Sequence, residues 1–168
     1  MAYRNKTYIC FDADEDMIYY QLMRAWKAKD GKEFQFHNAH DLFPMQNRKL
    51  DINDEIYIKR KLRERLLNTK CFIILVGQKT RNLYKYVRWE IQVALELDIP
   101  IVVVNLNKKN GIDRDLCPPI IRETLAIHIP YVRKAIVKGI DEWPSAHQRL
   151  KREGKTGPYY YEEFAQEN

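Results

Sequence analysis

The chain has 168 residues, 45% hydrophobic and 31% charged, the size and balance of one globular domain that needs no disulfide or metal staple. Gly and Pro number only 6 and 7, too few for a low-complexity or collagen-like chain. The formal net charge is +6; it admits a nucleic-acid partner, but the charges alternate in sign along much of the chain, and a mildly basic surface without that role is the simpler reading.

In chain order, residues 7–11 read as a strand, followed by the acidic cluster Asp12, Asp14, Glu15 and Asp16. Residues 17–29 read as a helix, with Ile18, Leu22 and Trp26 spaced four apart as its core stripe. A second strand is expected at 33–38, then a long polar loop over 40–53. The helix at 54–69 places Ile58, Leu62 and Leu66 on one stripe and Lys59, Arg60, Arg63 and Arg65 opposite. Strands at 71–76 and 100–106 are continuously apolar, as inner strands covered on both faces are. Between them, 86–97 reads as a helix with Val87, Ile91 and Ala94/Leu95 facing the core. A short helix near 118–125, a strand at 125–130 and a helix at 132–141, continuing past Pro144, complete the pattern. The tail at 151–168, with Gly154, Gly157 and Tyr159 to Tyr161, is expected to be weakly ordered or to pack in an assembly.

Strand and helix alternate about five times, which predicts an α/β fold with a parallel sheet and helices on both faces. The expected architecture is a flavodoxin-like three-layer sandwich with five strands in the order 2-1-3-4-5, the commonest such order at this length. One domain over 1–150 and a tail over 151–168 follow. No apolar run approaches the ~20 residues of a membrane span, and the amino terminus leads into a strand without a signal-peptide core. Cys10, Cys71 and Cys117 are widely spaced and form no CxxC or Cys/His cluster, so neither a disulfide framework nor a zinc site is expected. A cytoplasmic protein with reduced thiols, away from the membrane, is the simplest reading.

In an open parallel sheet, ligands bind beyond the carboxyl ends of the strands where the strand order reverses. The acidic cluster after the first strand reads better as capping for the following helix than as a Mg²⁺ site, because the strand at 71–76 ends Leu75-Val76-Gly77 without a carboxylate. There is no GxGxxG, GxxxxGK[ST] or GxSxG, which excludes dinucleotide-fingerprint dehydrogenases, P-loop enzymes and hydrolases with a nucleophile elbow. His37, His40, His128 and His147 have no Ser or Cys partner at a recognisable spacing, and His128 reads as a core histidine. Glu90, in Tyr86-Val87-Arg88-Trp89-Glu90-Ile91, lies early in its helix at the flank of the core face. It could stabilise a developing cation there, or be an ordinary acid of a helix amino terminus. Lys79, Arg81, Lys85 and Arg88 surround it, as contacts for a pyrophosphate or as a solvated rim.

The residues Tyr8-Ile9-Cys10-Phe11-Asp12, Ile73-Ile74-Leu75-Val76-Gly77 with Gln78-Lys79-Thr80, and Val87-Arg88-Trp89-Glu90-Ile91 together resemble the TIR-like domains. The bacterial and archaeal TIR-like proteins that include the TIR component of Thoeris antiphage defence are the nearest group, and Ala94 to Ile101 also fit it. The resemblance covers roughly 5–140. It implies a flavodoxin-like fold, self-association, NAD⁺ as the substrate rather than a cofactor, and no metal. It also implies an essential glutamate at Glu90, a nucleotide pocket lined by Phe11 and Asn38, and a nucleotide signal read by a separate effector protein. Within that reading Asp12 and Asp14 join Asn38 in polar contacts, and Trp89 stacks in the pocket or packs beneath it. Many relatives carry Ser in place of Cys10, and plant and animal members carry Ser and Cys ahead of the glutamate.

One conspicuous carboxylate suits this chemistry. Nicotinamide leaves NAD⁺ without being protonated, so the general acid of the usual glycosidase pair is not required. A single anion can hold the ribose and offset the positive charge that grows on its ring. Water as acceptor gives hydrolysis, and the substrate's own adenine gives cyclisation. The contrasting reading is a non-enzymatic adaptor that works by self-assembly or partner binding.

Overall fold

The structure is a computed structural model describing residues 4–29, 52–83 and 86–165. Its centre is a five-stranded parallel sheet: β1 (Lys6–Cys10), β2 (Thr69–Val76), β3 (Ile101–Asn105), β4 (Ala126–Pro130) and β5 (Pro158–Tyr159). Among the described residues their order is β1-β2-β3-β4-β5. The register sets Ile9 beside Ile73, Ile74 beside Val103, and Val103 beside His128. Four helices flank it: α1 (Met17–Lys29), α2 (Ile52–Leu67), α3 (Val87–Glu96) and α4 (Arg133–Arg152).

The strands are apolar throughout because both faces are covered. On one face Ile9, Ile73, Val102 and Ile127 pack under Tyr20 and Met23 of α1 and Ile136 and Trp143 of α4. On the other, Tyr8, Cys10, Ile74 and Val103 pack under Leu62 and Leu66 of α2 and Val87, Ile91 and Ala94 of α3. This is the expected α/β three-layer class. The strands anticipated at 7–11, 71–76, 100–106 and 125–130 are β1 to β4, adjacent in that sequence as the 2-1-3-4-5 order requires. The strand anticipated at 33–38 lies outside the described residues, as does the loop anticipated over 40–53 except its last two residues, which open α2.

Three expectations are corrected. The stripe Ile18–Leu22–Trp26 is only in part the core face of α1: Ile18 is 70% and Leu22 44% exposed, whereas Tyr20 and Met23 are buried and Trp26, half-buried, packs against Tyr131 at 5.5 Å. The aromatic rings decide the rotation of the helix, since Tyr20 stacks on Phe11 with centroids 4.7 Å apart and Tyr19 meets Tyr131 edge-on at 5.1 Å. Buried rings contribute more area and a preferred geometry than the aliphatic pair would. The short helix near 118–125 is a single 3-10 turn, Pro119–Ile121. The residues beyond 150 are also ordered as far as Ala165. The last helix runs to Arg152 with Pro144 inside it, Gly157 takes a left-handed φ of 95° to turn the chain, and β5 adds to the edge of β4. Tyr159 then packs on Trp143 at 6.0 Å, and Asn110 Nδ2 donates to the Tyr161 carbonyl at 2.9 Å.

Candidate functional site

The carboxyl ends of β1 and β2 meet the amino-terminal turns of α1 and α3. Leaving β1, the chain turns on Asp12, whose Oδ1 accepts the Asp14 amide at 3.0 Å and whose carbonyl accepts the Asp16 amide at 2.8 Å. Asp12 thus braces the entry to α1, which has no acidic residue in its own first turn. Asp14 is exposed. Asp16 is only 7% exposed, and its Oδ2 is buried without a hydrogen-bond partner. Burial, with Asp12 and Glu15 nearby, pushes its carboxyl up to about 6. It fits there because position 77 is glycine: a Cβ would stand 2.5 Å from Asp16 Oδ2. The Gly77 amide is turned to the Thr80 hydroxyl at 2.9 Å, and Lys79 crosses the mouth to Glu15 at 2.7 Å. Among the described residues no three His, Cys, Asp or Glu side chains are placed to hold a metal.

Glu90 sits one turn into α3, anchored by its amide to the Tyr86 carbonyl at 2.8 Å. It is not at the flank but inside, 2% exposed, and its Oε2 is buried with no hydrogen-bond partner. The groups that face it come from β1. Alternation along that strand turns Ile9 to one side and Tyr8 and Cys10 to the other, where the Tyr8 hydroxyl and Cys10 thiol adjoin the Glu90 carboxylate. Burial raises the Glu90 carboxyl to about 7, and the thiol and hydroxyl temper that rise by favouring the anion. The same burial, with the carboxylate alongside, drives Tyr8 and Cys10 well above their usual values, so both remain protonated donors. The result is a carboxylate poised near neutrality in a dry interior, where it would stabilise a neighbouring positive charge far more strongly than in water.

A family model for the TIR-like domain of the Thoeris protein ThsB matches residues 8–111, more than half of the chain and the whole of this site. The chain belongs to that family. The ThsB TIR-like match begins at Tyr8 and takes in Cys10, Asp16, Gly77 and Glu90; α4 and β5 lie beyond it.

The sequence-predicted residues are distributed as follows in this ThsB TIR-like domain. Glu90 and Trp89 are adjacent on α3, but Trp89 is half-buried toward α2, with Lys59 Nζ 5.5 Å from its ring centroid. Phe11 is 3% exposed and packs on the α1 side of the sheet, the opposite face from Glu90. Asp12 and Asp14 stand at the carboxyl edge near Asp16, and Asn38 lies outside the described residues. Of the basic set, Lys79 is paired with Glu15, Arg81 Nη1 donates to the Asp115 carbonyl, and Lys85 is outside the described residues. Sequence reasoning passed over Tyr8 and Asp16 as site residues. The signal for Tyr8 was its period-two partnership with Cys10; for Asp16 it was the glycine ending β2. His128 is the anticipated core histidine, fully buried, but neither of its ring nitrogens has a partner. No helix of the described residues is long and apolar enough to cross a membrane.

Proposed function

We propose that this chain consumes NAD⁺, releasing nicotinamide and making an ADP-ribose-derived signal, cyclised through the substrate's own adenine, in Thoeris-type antiphage defence. The signal is read by a separate effector protein, and the enzyme works in the cytoplasm as a homo-oligomer. One observation carries the reading: in a ThsB TIR-like chain, Glu90 is a buried carboxylate with an unpartnered oxygen, raised toward neutrality by burial with Tyr8 and Cys10 alongside. When the glycosidic bond breaks, its electron pair departs with nicotinamide, which becomes neutral, and positive charge spreads over the ribose ring. The Glu90 anion offsets that charge. Asp16, with its own unpartnered buried oxygen beside Gly77, is suited to accept a hydrogen bond from a ribose hydroxyl. At 2% exposure Glu90 is sequestered in this arrangement, so turnover includes a step that uncovers it, and basal activity is low.

The test is incubation of concentrated protein with NAD⁺, resolving products by liquid chromatography and mass spectrometry. Nicotinamide with a cyclic ADP-ribose species, both lost in Glu90→Gln, supports the proposal; ADP-ribose alone would make the reaction hydrolysis. A second reading, an adaptor that self-assembles without turnover, draws on the exposed Ile18 and Leu22 of α1. Concentration-dependent sedimentation with no nucleotide binding or product from either variant would favour it.

A further inference from the structure

A cavity opens on the flank of α3 turned toward the 119–121 turn. Its lining includes none of Tyr8, Cys10 and Glu90. We propose that this cavity binds a compact anion with an apolar body, of the class of aromatic carboxylates. Val87 and Ile91 form one wall, Leu83 closes an end, and Pro118 and Ile120 form the other wall, around about 290 Å³. That lies just below the roughly 300–1,000 Å³ of small-ligand sites. It suits one or two fused rings and is too small for a whole dinucleotide.

Charge identifies the head group. Arg81 and Arg88 line the same cavity and are both exposed, whereas Val87, Ile91 and Pro118 are buried. The guanidinia therefore stand at the mouth over an apolar floor. Arg81 spends one nitrogen on the Asp115 carbonyl, which fixes it across the opening. Arg88 has no ion pair among the described residues. Their remaining N–H groups present a fork matched to a carboxylate. A wholly polar anion would gain nothing from the floor, and a neutral hydrocarbon would leave the guanidinia without a counter-charge.

The far wall is set in advance. Asp113 Oδ1 accepts the Asp115 and Leu116 amides at 3.0 and 3.1 Å, and the Cys117 carbonyl accepts Arg122 Nε at 3.1 Å. Pro118 and Pro119 then lock two successive φ angles. A wall already ordered lowers the entropy cost of binding.

Naphthoate titrated into the full-length protein, with Ile, Leu and Val methyl groups labelled for NMR, tests the site. Saturable shifts are expected at Leu83, Val87, Ile91 and Ile120, with a Kd of about 1 mM or tighter. Binding is expected to weaken about tenfold, or 1.4 kcal/mol, for Arg88→Gln and for the neutral analogue naphthalenemethanol. Ile120→Trp, which fills the cavity, is expected to abolish the shifts at Val87 and Ile91 while the sheet resonances stay in place. The proposal is overturned by the absence of saturation at about 10 mM probe, by unchanged affinity in Arg88→Gln, or by shifts centred on the exposed Ile18 and Leu22.

Discussion

At Glu90 three buried groups share one electrostatic problem. The carboxylate, the Tyr8 hydroxyl and the Cys10 thiol are all out of water, and only the first can carry charge near neutral pH. The Tyr8 hydroxyl lowers the Glu90 carboxyl from where burial alone would put it. Tyr8→Phe should therefore raise it further, and the acid limb of the proposed NAD⁺ cleavage should move to higher pH; an unmoved limb would mean that the hydroxyl does not act on Glu90. His128 poses the opposite problem. Burial first, and Arg114 second, depress its ring to about 4. The unfolded chain, with an ordinary histidine near 6.5, takes up the proton first as pH falls. His128's share of stability is thus full above about pH 6.5 and lost as pH falls toward 4, by up to about 3 kcal/mol. Denaturant melts of wild type against His128→Leu across that window isolate it. The wild type should lose ground steadily as pH falls, while at pH 7 the leucine costs little because two unpaired nitrogens go with the ring.

Helix α1 shows why an element can be placed from sequence while its rotation is missed. Its bounds agree with the spacing of Ile18, Leu22 and Trp26, yet the buried side chains are Tyr20 and Met23. A period of 3.6 states only that a stripe exists; where neighbouring sides of a helix both carry apolar residues, tertiary stacking chooses between them. Helices α2 and α3 offered no such choice, and Leu62, Leu66, Val87 and Ile91 are buried as the spacing requires. Met23→Ala should accordingly cost about 2–5 kcal/mol in chemical denaturation and Ile18→Ala less than about 0.5; the reverse ranking would contradict the observed rotation. The same distinction governs the site. That Glu90 is a candidate was legible from the block Tyr86 to Ile91 and the resemblance it carries. Its depth was not, because burial depends on β1 passing under α3, a contact between residues some eighty positions apart that spacing within either element does not encode.

Across the whole molecule, the sheet holds the site through β1 and β2 and is finished on its far edge by β5, a two-residue strand from the segment that composition marked as a tail. Composition misled there because Gly154 and Gly157 read as linker, whereas they turn the chain so that Tyr159 and Tyr161 return to α4. Truncation after Glu153 should therefore lower thermal stability, by less for each half-buried ring removed than the ~1.5–3 kcal/mol of a fully buried one, and leave the surroundings of Glu90 in place, since β1, β2 and α3 are untouched. An unchanged melting temperature would show that β5 is dispensable to the domain. The measurement that bears most directly on the molecule's proposed activity is nicotinamide release from NAD⁺ as a function of pH, for wild type and Glu90→Gln. A buried carboxylate that ionises at about 7 should give the wild type an acid limb near that pH, and the glutamine variant should fall by at least about a hundredfold at every pH. A Glu90→Gln protein that released nicotinamide at the wild-type rate would contradict the assignment.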